Sequence, residues 1–208
     1  MATKRVPDPE ASYVTQTPNY KPGAKSGKRD ELTMFYRVKP GHEKEIRKAI
    51  ENFFADPVRT NMDDPRIFKH IAQTGVHDIR LVLFDNDTRL VWLTSFDTEW
   101  DPYIDDTFAV RNNLVEYGKI LQHTVEAPEG VADPNSPIQK NSRGVKDLFL
   151  AQRVAAVGYA PTFPNETTWE IKKGERLRKA FEEVLDHPEA EEALKHPALK
   201  PLLDLAAE

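Results

Sequence analysis

Cysteine is absent from the 208 residues. That absence excludes disulfides, thiolate nucleophiles and cysteine metal sites together, and it fits a reducing compartment. No run approaches the roughly 18 apolar residues that a membrane-spanning helix needs. Met1 to Pro7 also lack the apolar middle of a secretory signal. A cytoplasmic protein without a membrane span is expected. Glycine is scarce, at 9 residues, and none sits in a Gly-x-Gly-x-x-Gly, P-loop or Gly-x-Ser-x-Gly pattern. Nucleotide cradles and serine hydrolysis are therefore unsupported. There is no excess of positive charge, the formal net being −5, which argues against nucleic acid as a partner. His-Glu-x-x-His is missing too. The segment from Asp85 places Leu90 where a calcium loop needs glycine and Phe96 where it needs glutamate, so no metal site is expected.

Proline, by contrast, is plentiful at 16 residues, and the mean hydropathy is −0.62. Irregular, solvated chain around a modest core is implied. The proposed organisation is a basic extended or disordered arm over 1–31, a domain over 32–185 and an acidic helical tail over 186–208. Residues 1–29 hold six basic side chains against two acidic ones, with Pro7, Pro9, Pro18 and Pro22 breaking any periodicity. A solvated tail or an arm laid across a partner both suit that composition. Residues 186–208 hold six acids and two lysines.

The most apolar and most sharply punctuated stretch runs from Leu81 to Asp97. Strands are predicted on either side of Asp85-Asn86-Asp87-Thr88, whose Asx residues tolerate left-handed backbone. Ile79, Leu81 and Leu83 alternate with Val82 and Phe84, and Leu90 and Trp92 with Val91 and Leu93. Apolar side chains on both alternating sets predict a sheet covered on both faces.

Around this hairpin, residues 32–38 read as a strand and 42–55 as a helix with Ile46, Ile50, Phe53 and Phe54 on one stripe. The residues from Arg66 to Ile71 suit a helical turn or a strand. A helix capped by Asp97 or Thr98 follows the hairpin and is broken around residues 111–113. Pro128, Gly130, Pro134, Pro137 and Gly144 make 124–146 a long loop, functional or wrapped over a neighbour. A fourth strand is predicted over 148–159, and a last helix from the capping box Thr167 to Glu170.

Strand, helix, strand, strand, helix, strand gives the fold class: α+β, a ferredoxin-like βαββαβ antiparallel sheet with helices on one face. Its second apolar face predicts an isologous homodimer, a dimeric α/β barrel. The segments His77 to Arg80, Leu83 to Asp85 and Ser95 to Asp106 resemble the dimeric α/β-barrel superfamily. Within it they are similar to a largely uncharacterised bacterial group with a His-x-x-Arg strand and an acidic Trp/Tyr/Asp-Asp helix start. The likeness covers about residues 32–110, with a weaker echo at 153–185; Thr98 stands where that group has glycine.

The superfamily includes small monooxygenases, dye-decolourising peroxidases and chlorite dismutases. The resemblance implies an oxidoreductase acting on a small apolar or aromatic substrate, cofactor-free or with haem. In haem-binding relatives a histidine ligates iron and an arginine activates the bound oxidant. His70, His77 or His123 would then be the ligand, His70 as the cofactor contact, with His77 and Arg80 as the catalytic pair. Residues three apart on a strand point to opposite faces, so His77 and Arg80 share a cavity only across a bulge. The plainer expectation is a hydrogen-bonded histidine and an arginine paired to Asp78, Asp105 or Asp106. Tyr36, Trp92, Trp100 and Tyr103 are the candidate substrate-binding aromatics, or plain core. Asp101, Asp105 and Asp106 suit general bases or dipole partners at a helix start. The competing reading is a non-catalytic homodimer that binds a small molecule or lipid, or serves as a scaffold.

Overall fold

The computed structural model describes residues 25–57, 64–109, 113–141 and 143–207, with the side chains of 65, 66, 68, 70, 71 and 113 left aside. Most of the expected basic arm, and the break at 111–112, lie outside the described residues. The chain divides into two compact units between Thr168 and Trp169.

In the first unit, β1 (Asp30–Arg37), β2 (Val76–Phe84) and β3 (Arg89–Phe96) form an antiparallel sheet in the order β1-β3-β2. The β2–β3 turn follows the Asx reading: Asp85, Asn86 and Asp87 take φ of 53, 57 and 66°, and the Thr88 hydroxyl donates to the Asp85 carbonyl at 2.7 Å. Arg47 closes a fork on Asp87, with Nε to Oδ2 at 2.9 Å.

Helices α1 (Glu43–Ala55), α2 (Pro65–Thr74), α3 (Trp100–Ala109), α4 (Asn113–Leu121), α5 (Pro137–Lys140) and α6 (Arg143–Gln152) complete the unit. Ile46 and Phe53 bury the expected α1 stripe. The ambiguous 66–71 segment is helical, and the described residues on either side of 110–112 are helical as well. Gly75 ends α2 at φ +66, a left-handed stop that glycine tolerates without penalty. A mixed α+β core results, in which Leu32, Met34, Tyr36, Leu90, Trp92 and Phe96 meet α1, α3, α4 and α6.

The fourth strand is a correction. Residues 148–152 belong to α6, because Val145, Leu148 and Phe149 recur at helical spacing and bury together. Only Arg153 reaches the sheet, as one antiparallel bridge to Met34, with the Val154 amide donating to the Thr33 carbonyl at 2.8 Å. A short apolar run without its period misleads, and here the period belonged to a helix. Arg153 is 1% exposed and donates to the Glu31 carbonyl at 2.7 Å and to Asp30 Oδ1 at 3.3 Å.

The segment 124–146 is turn-rich to Ser136, then holds the single helical turn Pro137–Lys140 and the start of α6, and it packs on its own chain. Gly118 in α4 allows this, since a Cβ there would meet the Val131 carbonyl carbon at 2.7 Å. Gln139 Nε2 donates to the Leu114 and Val131 carbonyls, and the Ser136 hydroxyl donates to the Gly130 carbonyl at 2.7 Å. At its start, Glu126 holds the Arg37 amide at 3.1 Å and the Arg37 Nε at 2.8 Å.

The second unit holds most of α7 (Thr168–Leu185), then α8 (Glu191–Leu194) and α9 (Lys200–Ala206), with single 3-10 turns between. No described residue from 169 to 207 is buried. Of the tail leucines, Leu202 and Leu205 are 44% and 64% exposed. No described helix is long and apolar enough to cross a membrane.

Candidate functional site

Strand alternation sorts the sequence candidates onto different surfaces. The helix-covered face takes Tyr36, Trp92 and, from α3, Trp100 and Tyr103, all buried. Phe96 and Tyr103 rings stack at 3.8 Å and 2°, and Trp92 meets Tyr117 edge-on at 4.8 Å. The Tyr103 and Thr94 hydroxyls are 3.1 Å apart, while the Tyr36 hydroxyl lies 3.2 Å from the Met34 sulfur. Burial, above all, pushes both phenols up, Tyr36 well above its ordinary value. These aromatics touch one another, as core residues do.

His77 lies on neither face. The register skips it between Val76 and Asp78, so a bulge intervenes and turns it to the end of the sheet. Its Nε2 lies against Asp97 Oδ1 and is 3.1 Å from the Thr168 hydroxyl. The other Asp97 oxygen accepts the Thr168 amide at 2.6 Å, and the Asp97 amide donates to Gly75 at 3.0 Å. Asp97, expected to cap α3, thus binds β2 and the start of α7 instead. Both members of the pair are nearly enclosed, at 11% and 6% side-chain exposure.

Arg80 stands on the opposite face, helix-free among the described residues, exposed, with Nε 3.3 Å from Asp78 Oδ1. The other Asp78 oxygen accepts the Ser95 hydroxyl. Asp101 and Asp105 turn to Lys146 of α6, Asp105 at 2.5 Å. His70 sits in α2 with its side chain outside the described set. The structure therefore separates the candidate residues. His77 and Arg80 do not converge, and neither joins the aromatic cluster. Haem, the cofactor the resemblance implies, is not fitted at His77, whose Nε2 is occupied by a carboxylate and a hydroxyl. Among the described residues no group of three or more His, Asp or Glu is placed to hold a metal.

The helix-free face is the more informative surface. Register stacks four rows of side chains across β1, β3 and β2: Glu31–Ser95–Asp78, Thr33–Leu93–Arg80, Phe35–Val91–Val82 and Arg37–Arg89–Phe84. One end is acidic, the other basic, and the centre is apolar. Phe35 and Phe84 meet edge-to-face at 6.5 Å, and Val82 is 47% exposed. Arg37 pairs with Glu126 and Arg89 with Asp85 at 3.0 Å, so the basic end is fixed in place.

A second polar feature lies on the outer side of the helix layer. An open groove of about 600 Å³ between α1 and α4 is lined by Lys44, Lys48, Lys119, His123 and the edge of Phe53, among others. At its rim His42 and His123 approach Nδ1 to Nδ1 at 3.0 Å. Burial first, then the neighbouring His42, holds His123 below its ordinary value. The pair staples the start of α1 to the end of α4. Sequence reasoning missed His42 and the role of Asp97, because partners 81 and 20 residues apart leave no local pattern.

No protein-family model, curated protein or solved structure matches this chain.

Proposed function

We propose that the protein is a homodimer that closes its helix-free sheet face against the same face of a second copy and holds a small apolar or aromatic molecule between the two sheets. The carrying observation is the row pattern, apolar at Phe35, Val91 and Val82 with acidic and basic ends. A two-fold axis through the centre with antiparallel sheets sets Glu31 and Asp78 opposite the partner's basic end and buries the apolar rows. The order β1-β3-β2, with the Arg153 bridge on the free edge of β1, supports a ferredoxin-like reading whose fourth strand is reduced to one bridge. Binding without chemistry is the favoured reading, since His77 is engaged by Asp97 and Thr168.

The test is mass by light scattering with ANS as an aromatic reporter. The wild type is expected as an oligomer of at least two copies that binds ANS, and Val82→Lys as a folded species of half the mass with the ANS signal reduced. A monomeric wild type at micromolar concentration overturns the reading.

A second reading, oxidation of the bound molecule by dioxygen or peroxide, is favoured by one observation. Arg80 projects from the same face beside Leu93 and Val82, where a guanidinium can orient an anionic substrate or oxidant. Turnover that Arg80→Ala abolishes at unchanged mass supports it, and turnover indifferent to Arg80 removes it.

A further inference from the structure

Helix α7 carries an apolar stripe that its own unit leaves uncovered. From Gly174 onward, Leu177, Phe181 and Val184 follow at spacings of three, four and three, the seam of a short coiled coil. Leu177 and Val184 are 69% and 45% exposed. The opposite side of the helix is charged, and unevenly so. Lys172, Lys173, Arg176, Arg178 and Lys179 outnumber Glu170 and Glu175 in the first part, while only acids, Glu182, Glu183 and Asp186, follow at its end. Pairs along the helix join Lys172 and Lys179 to Glu175, and Arg178 to Glu182. None of these engages Lys173, Arg176, Glu183 or Asp186. An isolated helix of this length is marginal in water, and the unit of 169–207 supplies no core to support it.

From this stripe and this charge division we infer that α7 pairs antiparallel with the α7 of a second copy. Parallel pairing would set the basic stretch on the basic stretch and the acidic on the acidic. Antiparallel pairing reverses both juxtapositions. The register that puts Leu177 opposite Val184 also brings Arg178 and Lys179 alongside the partner's acidic stretch and buries Phe181 at the centre of the seam. The interface is isologous, as a two-fold demands. It does not rest on the sheet-face dimer: the two surfaces share no residue, and where each recruits a different copy the assembly is larger than a dimer.

The absence of cysteine makes the test clean. Full-length Leu177→Cys and Val184→Cys chains are prepared separately, mixed and oxidised mildly. The expected result is a mixed disulfide between the two variants that dominates over either self-linked product. Dominant self-linked Leu177→Cys dimers mean parallel pairing and overturn the proposal, as does a failure to cross-link. Light scattering supplies the second readout, with helicity checked by circular dichroism. Leu177→Glu is expected to lower the mass and weaken self-association by about a hundredfold or more, since each partner would bury a carboxylate in the seam. Val82→Lys is expected to leave the mixed disulfide intact, so failure of the sheet-face reading and failure of this one are told apart. An unchanged mass in Leu177→Glu overturns the α7 pairing.

Discussion

The two faces of the sheet, built from the same three strands, are finished differently. On one, Leu32, Met34, Tyr36, Leu90, Trp92 and Phe96 are buried by helices and by one another. On the other, Phe35, Val91, Leu93 and Phe84 are only partly covered and Val82 is open. Strand alternation put apolar residues on both, but the first unit's helical packing is concentrated on a single face. Burial is where apolar area becomes stability, about 25 cal/mol per Å² removed from water. The first face is thus where the fold's own stability resides. The second is apolar area whose benefit is realised only when something covers it.

The largest expected effect breaks the comparison most directly. Trp92→Ala, which empties the space against Tyr117 and Phe149, is expected to cost about 3–5 kcal/mol. Val82→Ala, on the open face, is expected to stay within about 0.5 kcal/mol in a monomer. Urea midpoints at low protein concentration measure both. A Val82→Ala cost approaching that of Trp92→Ala would mean that the second face is covered in solution, and its dependence on protein concentration would identify a second copy as the cover.

A smaller effect is expected at the end of the sheet, where Asp97 joins β2, the end of β3 and the start of α7. Asp97→Ala strips the partner from His77 and from the Thr168 amide and is expected to cost about 1–3 kcal/mol. His77→Ala removes part of the same network, so the two costs should not add in the double variant. Additive costs would show that the cluster does not act as a unit. This would return His77 to the candidates for chemistry.

How far the residues announced all this varies with the range of the interaction. The hairpin was legible because Asp85, Asn86 and Asp87 are among the few residues that accept positive φ. Apolar character on both strand sets was legible because a period of two is local. The fourth strand was misread because Leu148, Phe149 and Leu150 are dense in apolar atoms, and the helical period emerges only when Val145 is included. Of the candidate site, Arg80 was placed on a strand correctly, and its pairing with Asp78 was among the partners foreseen. The His77–Asp97 pair was hidden because Asp97 looked like a helix cap, and a carboxylate between two elements can serve either. The His42–His123 pair was hidden because nothing near either residue points to the other.

That last pair gives the smallest expected effect and separates the two faces by acidity, since the helix-free face carries no histidine. Within the staple one Nδ1 donates its proton and the other accepts, so the pair is satisfied with a single proton on these two nitrogens. Burial and His42 lower the affinity of His123 for a further proton, Lys39 adds to that, and Glu45 opposes it. Lys44, Lys48, Lys119 and Glu116 line the same groove and are the other charges to consider. The unfolded chain, with His123 at its ordinary value of 6.5, then takes up a proton before the folded one does. The stability this pair contributes is complete above that value and lost as pH falls through the lowered one. Thermal midpoints should therefore fall as pH is lowered below 6.5, and fall less in His123→Asn, where that proton uptake is removed. A variant whose pH profile runs parallel to the wild type would show that the staple is not what yields to acid, and that the helix layer over the buried face is held by its apolar contacts alone.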